Sequence, residues 1–223
     1  MIDLKKIVPS IMLADQLNLG EELEKLSQNG LDWLHIDVMD GVFVKNLAMA
    51  PYIVEPIINT GKFTTDVHLA CIDPEKYINM FLNIKPNYIT FHVETASNPS
   101  KLIDLIHQNG IKAGVAVSPE TRIETIFPFL DKVDLILMMT VNPGFAGQEF
   151  QYHVLEKLEV LNKKLEDFTN RPLIEVDGNI YHQTAKEIAK IGADLYVVGT
   201  SALFYESDLS YKEKIDVLNK AIL

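Results

Sequence analysis

His35 and Asp37 stand two residues apart in Trp33-Leu34-His35-Ile36-Asp37-Val38-Met39-Asp40-Gly41, a short apolar run that ends in a glycine turn. On a strand, that spacing turns both side chains to one face. The rest of the face is apolar, and an imidazole beside a carboxylate is costly to bury without a partner. A metal ion is one such partner. A hydrogen-bonded His–Asp pair within the core is the other. Two more stretches add donors of the same kind. Asp66-Val67-His68-Leu69 closes a second run with a histidine, and Glu175-Val176-Asp177-Gly178 closes a third with an aspartate before glycine. Two histidines and two aspartates make a nitrogen and oxygen set suited to zinc, iron(II), manganese or cobalt.

A second chemistry is written in the glycines. Asn142-Pro143-Gly144-Phe145-Ala146-Gly147-Gln148, Asp177-Gly178-Asn179 and Gly199-Thr200-Ser201 each follow an apolar run. Glycine lets main-chain N–H groups approach an anion closely. A helix start after the last of these runs would add a favourable dipole. One such turn alone reads as an ordinary turn former. Three of them beside a candidate metal site read as a phosphate cradle. Ser10, His92 and Glu94 also fall at ends of apolar runs, where a cap or a satisfied core group is the simpler account. Met12, Met39 and Met139 read as core packing, or as a soft apolar ceiling over a bound substrate.

These residues need elements to carry them. Short, β-branched apolar runs at 7–10, 33–37, 65–69, 88–92, 112–117, 135–139, 173–176 and 195–198 predict eight strands. Between them lie stretches of helical spacing or helix-start signals at 16–29, 51–58, 73–82, 98–109, 120–129, 150–168 (the longest), 183–191 and 210–222. Strands alternating with helices give a parallel sheet. Eight units favour a closed (β/α)₈ TIM barrel as a single domain over residues 1–223. A doubly wound sheet would need a glycine-rich turn after the first strand, where Ser10-Ile11-Met12-Leu13-Ala14-Asp15 has none. In a barrel the candidate residues would all converge at the C-terminal ends of the strands.

Bulk properties exclude some partners. A formal net charge of -11 over 223 residues argues against nucleic acid or an anionic membrane as partner. An anionic substrate would have to be held by local backbone amides. The one cysteine, Cys71, cannot form an internal disulfide, which points to a reducing compartment. Residues 1–10 carry no long apolar segment and no run has the length of a membrane span, so a cytoplasmic protein is expected.

The joint order of Pro9-Ser10, His35-Ile36-Asp37-Val38-Met39-Asp40-Gly41, Asp66-Val67-His68-Leu69, Ile89-Thr90-Phe91-His92, Met139-Thr140-Val141-Asn142-Pro143-Gly144-Phe145, Val176-Asp177-Gly178 and Val198-Gly199-Thr200 resembles the ribulose-phosphate 3-epimerase family over nearly the whole chain. The resemblance implies a (β/α)₈ barrel holding one divalent metal ion per chain, usually Zn²⁺, on His35, Asp37, His68 and Asp177. It implies a small sugar-phosphate substrate and inversion at C3 of a ketose phosphate through a metal-stabilised enediolate. Inversion needs acid/base groups on both faces of the carbon. The resemblance assigns these to Asp37, which takes the proton, and Asp177, which supplies one. Substrate contacts fall on Ser10, His68, Gly144, Phe145, Ala146, Gly147, Asp177, Gly178, Asn179, Gly199 and Thr200. A homo-oligomer is implied in the same way.

The chain departs from the family pattern at Lys45, Ala70, Ala146 and Asn179. The allulose-6-phosphate 3-epimerase branch is similar in its Gly-Phe-Ala-Gly-Gln and Val-Gly-Thr-Ser turns. Ala70 would free volume above the sugar, and Asn179 could pair an extra hydroxyl. The expectation is therefore D-allulose 6-phosphate interconverting with D-fructose 6-phosphate, with D-ribulose 5-phosphate and D-xylulose 5-phosphate as the alternative. A Schiff-base aldolase on the same cradle would need a lysine at a strand end, and Lys112 begins its strand. A non-catalytic sugar-phosphate-binding barrel is the more distant reading.

Overall fold

The computed structural model describes residues 5–223, so of the stretch read for a signal segment only Lys5 onward is covered. Eight parallel strands run β1 (Lys6–Pro9), β2 (Trp33–Met39), β3 (Thr64–Ala70), β4 (Tyr88–His92), β5 (Lys112–Val117), β6 (Leu135–Met139), β7 (Leu173–Asp177) and β8 (Leu195–Val198). The sheet order is β1-β8-β7-β6-β5-β4-β3-β2, and a parallel bridge from Ser10 to His35 brings its two edges together. The result is a nearly closed (β/α)₈ barrel, as the alternation of elements predicts. Among the described residues no helix is long and apolar enough to cross a membrane.

Among the described residues seven α-helices pack outside: α1 (Leu19–Gln28), α2 (Pro51–Asn59), α3 (Pro74–Phe81), α4 (Pro99–Gln108), α5 (Val154–Leu165), α6 (His182–Ile191) and α7 (Tyr211–Ile222). Their starts follow local chemistry. Pro74 and Pro99 occupy first-turn positions whose N–H would have no partner. The Asn98 side chain caps the Lys101 N–H, and Ser210 with Glu213 closes a capping box on α7. Three expectations shift. The element placed at 120–129 is a 3₁₀ helix, Ile123–Phe129, with Pro128 inside it. Its turns close by i→i−3 bonds, Thr125 N–H to the Arg122 carbonyl and Leu130 N–H to the Phe127 carbonyl, and Pro128 brings no N–H of its own. The helix at 150–168 shortens to 12 residues and is no longer than α7, also 12. The helix start expected just after β8 is a turn, in which the Gly199 carbonyl accepts from Ala202, Leu203 and Phe204, and the next helix begins at Tyr211.

Side chains alternate along each strand, so each strand supplies one core on each side. The larger core lies between sheet and helices, with Leu34, Ile36, Val67, Leu69, Ile89 and Phe91 among its fully buried members. The inner core holds Val8, Trp33, Tyr88, Ala116, Leu135, Leu137, Met139, Leu195 and Val197. Polar side chains share that inner space, and one glycine makes room for them. A methyl group on Gly114 of β5 would lie 2.1 Å from Thr90 Oγ1, which donates to Asp66 Oδ1 at 2.6 Å. Gly114→Ala is expected to cost about 1–3 kcal/mol by overpacking a buried site. Urea unfolding of the variant against wild type checks this, and equal midpoints would refute it.

Candidate active site

The four proposed ligands meet at the top of the barrel. Strands β2 and β3 run on to Met39 and Ala70, further than expected, so His35 lies one pleat below Asp37 and not at the strand end. Register pairs Asp37 with His68 and His35 with Asp66. His68 Nδ1 lies 3.0 Å from Asp37 Oδ1 and 3.2 Å from His35 Nε2. His35 Nε2 lies 3.4 Å from Asp37 Oδ1 and 4.0 Å from Asp177 Oδ2, reached from β7. Bonds of about 2.0–2.1 Å in a tetrahedral site separate donor atoms by about 3.3 Å. The donor set and its spacing therefore fit one divalent cation.

Electrostatics point the same way. Burial would raise Asp37, yet the His35 imidazole beside it holds it well below the usual carboxylate range. Burial would lower His35, yet Asp37 and Glu175 keep it well above an ordinary imidazole. Asp177 is pushed up to about 7 by burial, with Asp37 adding repulsion. A half-buried carboxyl held so high marks a place short of positive charge, which a divalent cation supplies.

Below this layer lies a second one. Asp66 and Glu175 are fully buried, and Glu175 is pushed up to about 8 by burial and by Asp66. His35 Nδ1 stands 3.4 Å from Asp66 Oδ2 and 3.5 Å from Glu175 Oε1. A cation on Nε2 requires the ring proton on Nδ1, facing these carboxyls. The sequence pattern alone assigns neither residue a role, although it carries the signal: each precedes a proposed ligand by two positions, hence the same face one layer down. His92 is another case. Fully buried, it does not touch the cavity but abuts His68, Nε2 to Nε2 at 2.9 Å.

One cavity opens above the ligands. Ser10, His68, Gly144, Phe145, Ala146, Gly147, Asp177, Gly178, Asn179, Gly199 and Thr200 all line it, with Asp37 and the methionines Met12, Met39 and Met139. No lysine or arginine does. Ser10 Oγ donates to Asp37 Oδ2 at 2.6 Å, which orients that carboxylate. The three glycine turns form the far wall. Gly178, at φ 124°, lies where a Cβ would meet the Val141 N at 2.7 Å, so only glycine fits. Thr140 Oγ1 donates to the Gly178 carbonyl at 2.5 Å and ties this turn to the one after β6. Asn46 Nδ2 donates to the Gly144 carbonyl at 2.7 Å and joins the loop after β2. Asn179 adopts φ 52°, a left-handed conformation that asparagine tolerates. Ala70 is fully buried against Met39 and Val44 and does not line the cavity, where space above a substrate was expected of it. Lys112 sits at the opposite end, bonded to Tyr88 Oη at 3.0 Å, which removes it as a Schiff-base candidate.

The Ribulose-phosphate 3 epimerase family matches residues 6–204. A ribulose-phosphate 3-epimerase of Bacillus subtilis (strain 168) is 39% identical over 204 residues, covering 91% of this chain and 94% of its own. One from Synechocystis sp. is 40% identical over 200 residues, covering 89% and 86%. The 3-hexulose-6-phosphate synthase from Salmonella typhimurium superposes with a TM-score of 0.67, covering 97% of this chain and 98% of that one, at 15% identity, a likeness of fold alone. By the span of the family match and the identity of these relatives, the chain belongs to the ribulose-phosphate 3-epimerase family.

Proposed function

We propose that this protein is a divalent-metal-dependent 3-epimerase that interconverts D-ribulose 5-phosphate and D-xylulose 5-phosphate. The observation that carries the reading is the pair Asp37 and Asp177. They stand on β2 and β7, three strands apart round the barrel, and reach one cavity from different sides. Their environments differ in the sense an inversion needs. Asp37 is held as the charged base, and Asp177, at about 7, can hold a proton. In the proposed forward direction Asp37 removes the C3 proton and Asp177 delivers one to the opposite face. The roles exchange in reverse, and the pair titrates as a unit.

His35, Asp37, His68 and Asp177 would hold the cation, for which Zn²⁺ is the first choice and Fe²⁺, Mn²⁺ and Co²⁺ are alternatives. A cation there supplies the positive charge that offsets negative charge developing on the substrate's oxygens. Ser10 orients the Asp37 carboxylate, and Met12, Met39 and Met139 exclude water. The turns at Gly144–Gly147, Gly178–Asn179 and Gly199–Thr200 supply N–H groups to the phosphate, consistent with a net-acidic chain and a cavity without lysine or arginine.

The five-carbon substrate replaces the expected six-carbon one on two grounds. The relatives at 39% and 40% identity are ribulose-phosphate 3-epimerases by name. The space expected at Ala70 lies outside the cavity. The test is kcat/KM for ribulose 5-phosphate and allulose 6-phosphate with the same metal, run in deuterium oxide. At least a tenfold preference, about 1.4 kcal/mol, for ribulose 5-phosphate is expected, with deuterium at C3 of the product. A preference for allulose 6-phosphate would return the hexulose reading. Inversion with full retention of the C3 hydrogen would remove the two-base scheme.

A further inference from the structure

We infer that Glu94 and His92 are positioning residues that fix the tautomer of His68, so that its Nδ1 keeps a lone pair for the cation. The inference rests on the metal-binding part of the function proposed above. His35 offers the cation Nε2, whereas His68 offers Nδ1. The two rings therefore need opposite tautomers, and a ring with two similar nitrogens does not choose one unaided.

For His68 the choice is made by a chain of three groups running outward from the site. His68 Nε2 lies 2.9 Å from His92 Nε2, and His92 Nδ1 lies 3.1 Å from Glu94 Oε2. Both rings are buried, and the Glu94 side chain is 21% exposed. Glu94 sets the direction. Its other oxygen accepts the Ser118 N–H at 2.7 Å. Burial would raise its pKa, yet the bonds from His92, Thr121 and Ser118 hold it at about 2. A carboxylate can only accept, so His92 must place its proton on Nδ1. Neutral His92 then has a lone pair on Nε2, which only a proton on His68 Nε2 can satisfy. That leaves His68 Nδ1 unprotonated toward Asp37 and His35. The Ser118 hydroxyl, 3.4 Å from His92 Nδ1, can serve that nitrogen only weakly. The Phe43 ring, 4.8 Å from that of His92, packs the relay without offering a competing polar group.

Two measurements on the full-length protein test this. ¹⁵N shifts of the histidine rings in the metal-free protein are expected to show His92 protonated at Nδ1 and bare at Nε2, and His68 protonated at Nε2. The proton found on His92 Nε2 would overturn the relay. Zn²⁺ affinity is then measured by competition with a chelating dye. Glu94→Ala and His92→Phe are expected to bind Zn²⁺ about 10–100-fold more weakly than wild type. Glu94→Gln keeps a carbonyl acceptor for His92 and is expected to recover most of the loss. Zn²⁺ binding by both disrupted variants within twofold of wild type would overturn the inference. A wild-type protein that binds no Zn²⁺, Mn²⁺, Fe²⁺ or Co²⁺ would instead overturn the metal reading, and the ring shifts, which need no metal, would still decide the relay.

Discussion

Asp177→Asn is expected to lower kcat by about 10²–10⁴-fold, the range that removal of a positioned acid or base produces. Asparagine has the same shape, so the main-chain links at this point survive. The Asp177 carbonyl accepts from the Thr140 N–H at 2.7 Å and from Thr140 Oγ1 at 3.0 Å, and neither bond involves the carboxylate. The barrel should therefore stay folded, with its unfolding midpoint close to that of wild type. What is lost is the carboxyl that burial pushes to about 7, and with it the proton for the second face of the carbon. Asp37→Asn should be at least as damaging. An amide there would turn an NH₂ toward His35 Nε2 and His68 Nδ1, or else break the bond from Ser10. Steady-state kinetics with metal content measured on each variant separates a lost base from a lost ligand. Retention of kcat within a few-fold in metal-replete Asp177→Asn would remove Asp177 from the chemistry.

Exhaustive chelation is expected to abolish epimerisation, and one equivalent of Zn²⁺, Fe²⁺, Mn²⁺ or Co²⁺ per chain to restore it. Three carboxyl groups, those of Asp37, Asp66 and Glu175, lie buried in two adjoining layers, with that of Asp177 half-buried beside them and only two imidazoles as ligands among them. Such a cluster is short of positive charge, and a bound cation relieves it. Thermal stability should follow. A ligand that binds only the folded state stabilises it by about 4 kcal/mol at a thousand times its Kd, so the metal-free protein should melt lower. Metal analysis of purified protein, activity before and after dipicolinate treatment and unfolding scans with and without Zn²⁺ check the three parts. Full activity after exhaustive chelation would sink the metal site, and so would equal melting temperatures together with no bound ion.

Most of the site's membership is legible in the amino-acid sequence. A His and an Asp two positions apart on an apolar run share a face whatever the fold. Eight such runs alternating with helical stretches leave few alternatives to a parallel barrel. Once closed, the barrel carries every strand end to one rim, so His35, Asp37, His68 and Asp177 converge from three strands far apart in sequence. Glycine turns are readable for a similar reason: a position such as Gly178, with positive φ and neighbours at contact distance, admits no other residue.

Depth and adjacency are not legible there, because a one-dimensional pattern says which face a side chain takes but not which layer it occupies. Tertiary register places His35 a pleat lower than expected and makes Asp66 and Glu175 its neighbours. It sets His92 behind His68, outside the cavity, and it buries Ala70 where a gap above the substrate was expected. Each outcome depends on shear between strands and on how loops close over the rim, quantities set by packing across the barrel and not by any local run of residues. The types of donor and their shared face come from the chain order. Which nitrogen of each imidazole faces the site, and what stands behind it, only the folded barrel decides.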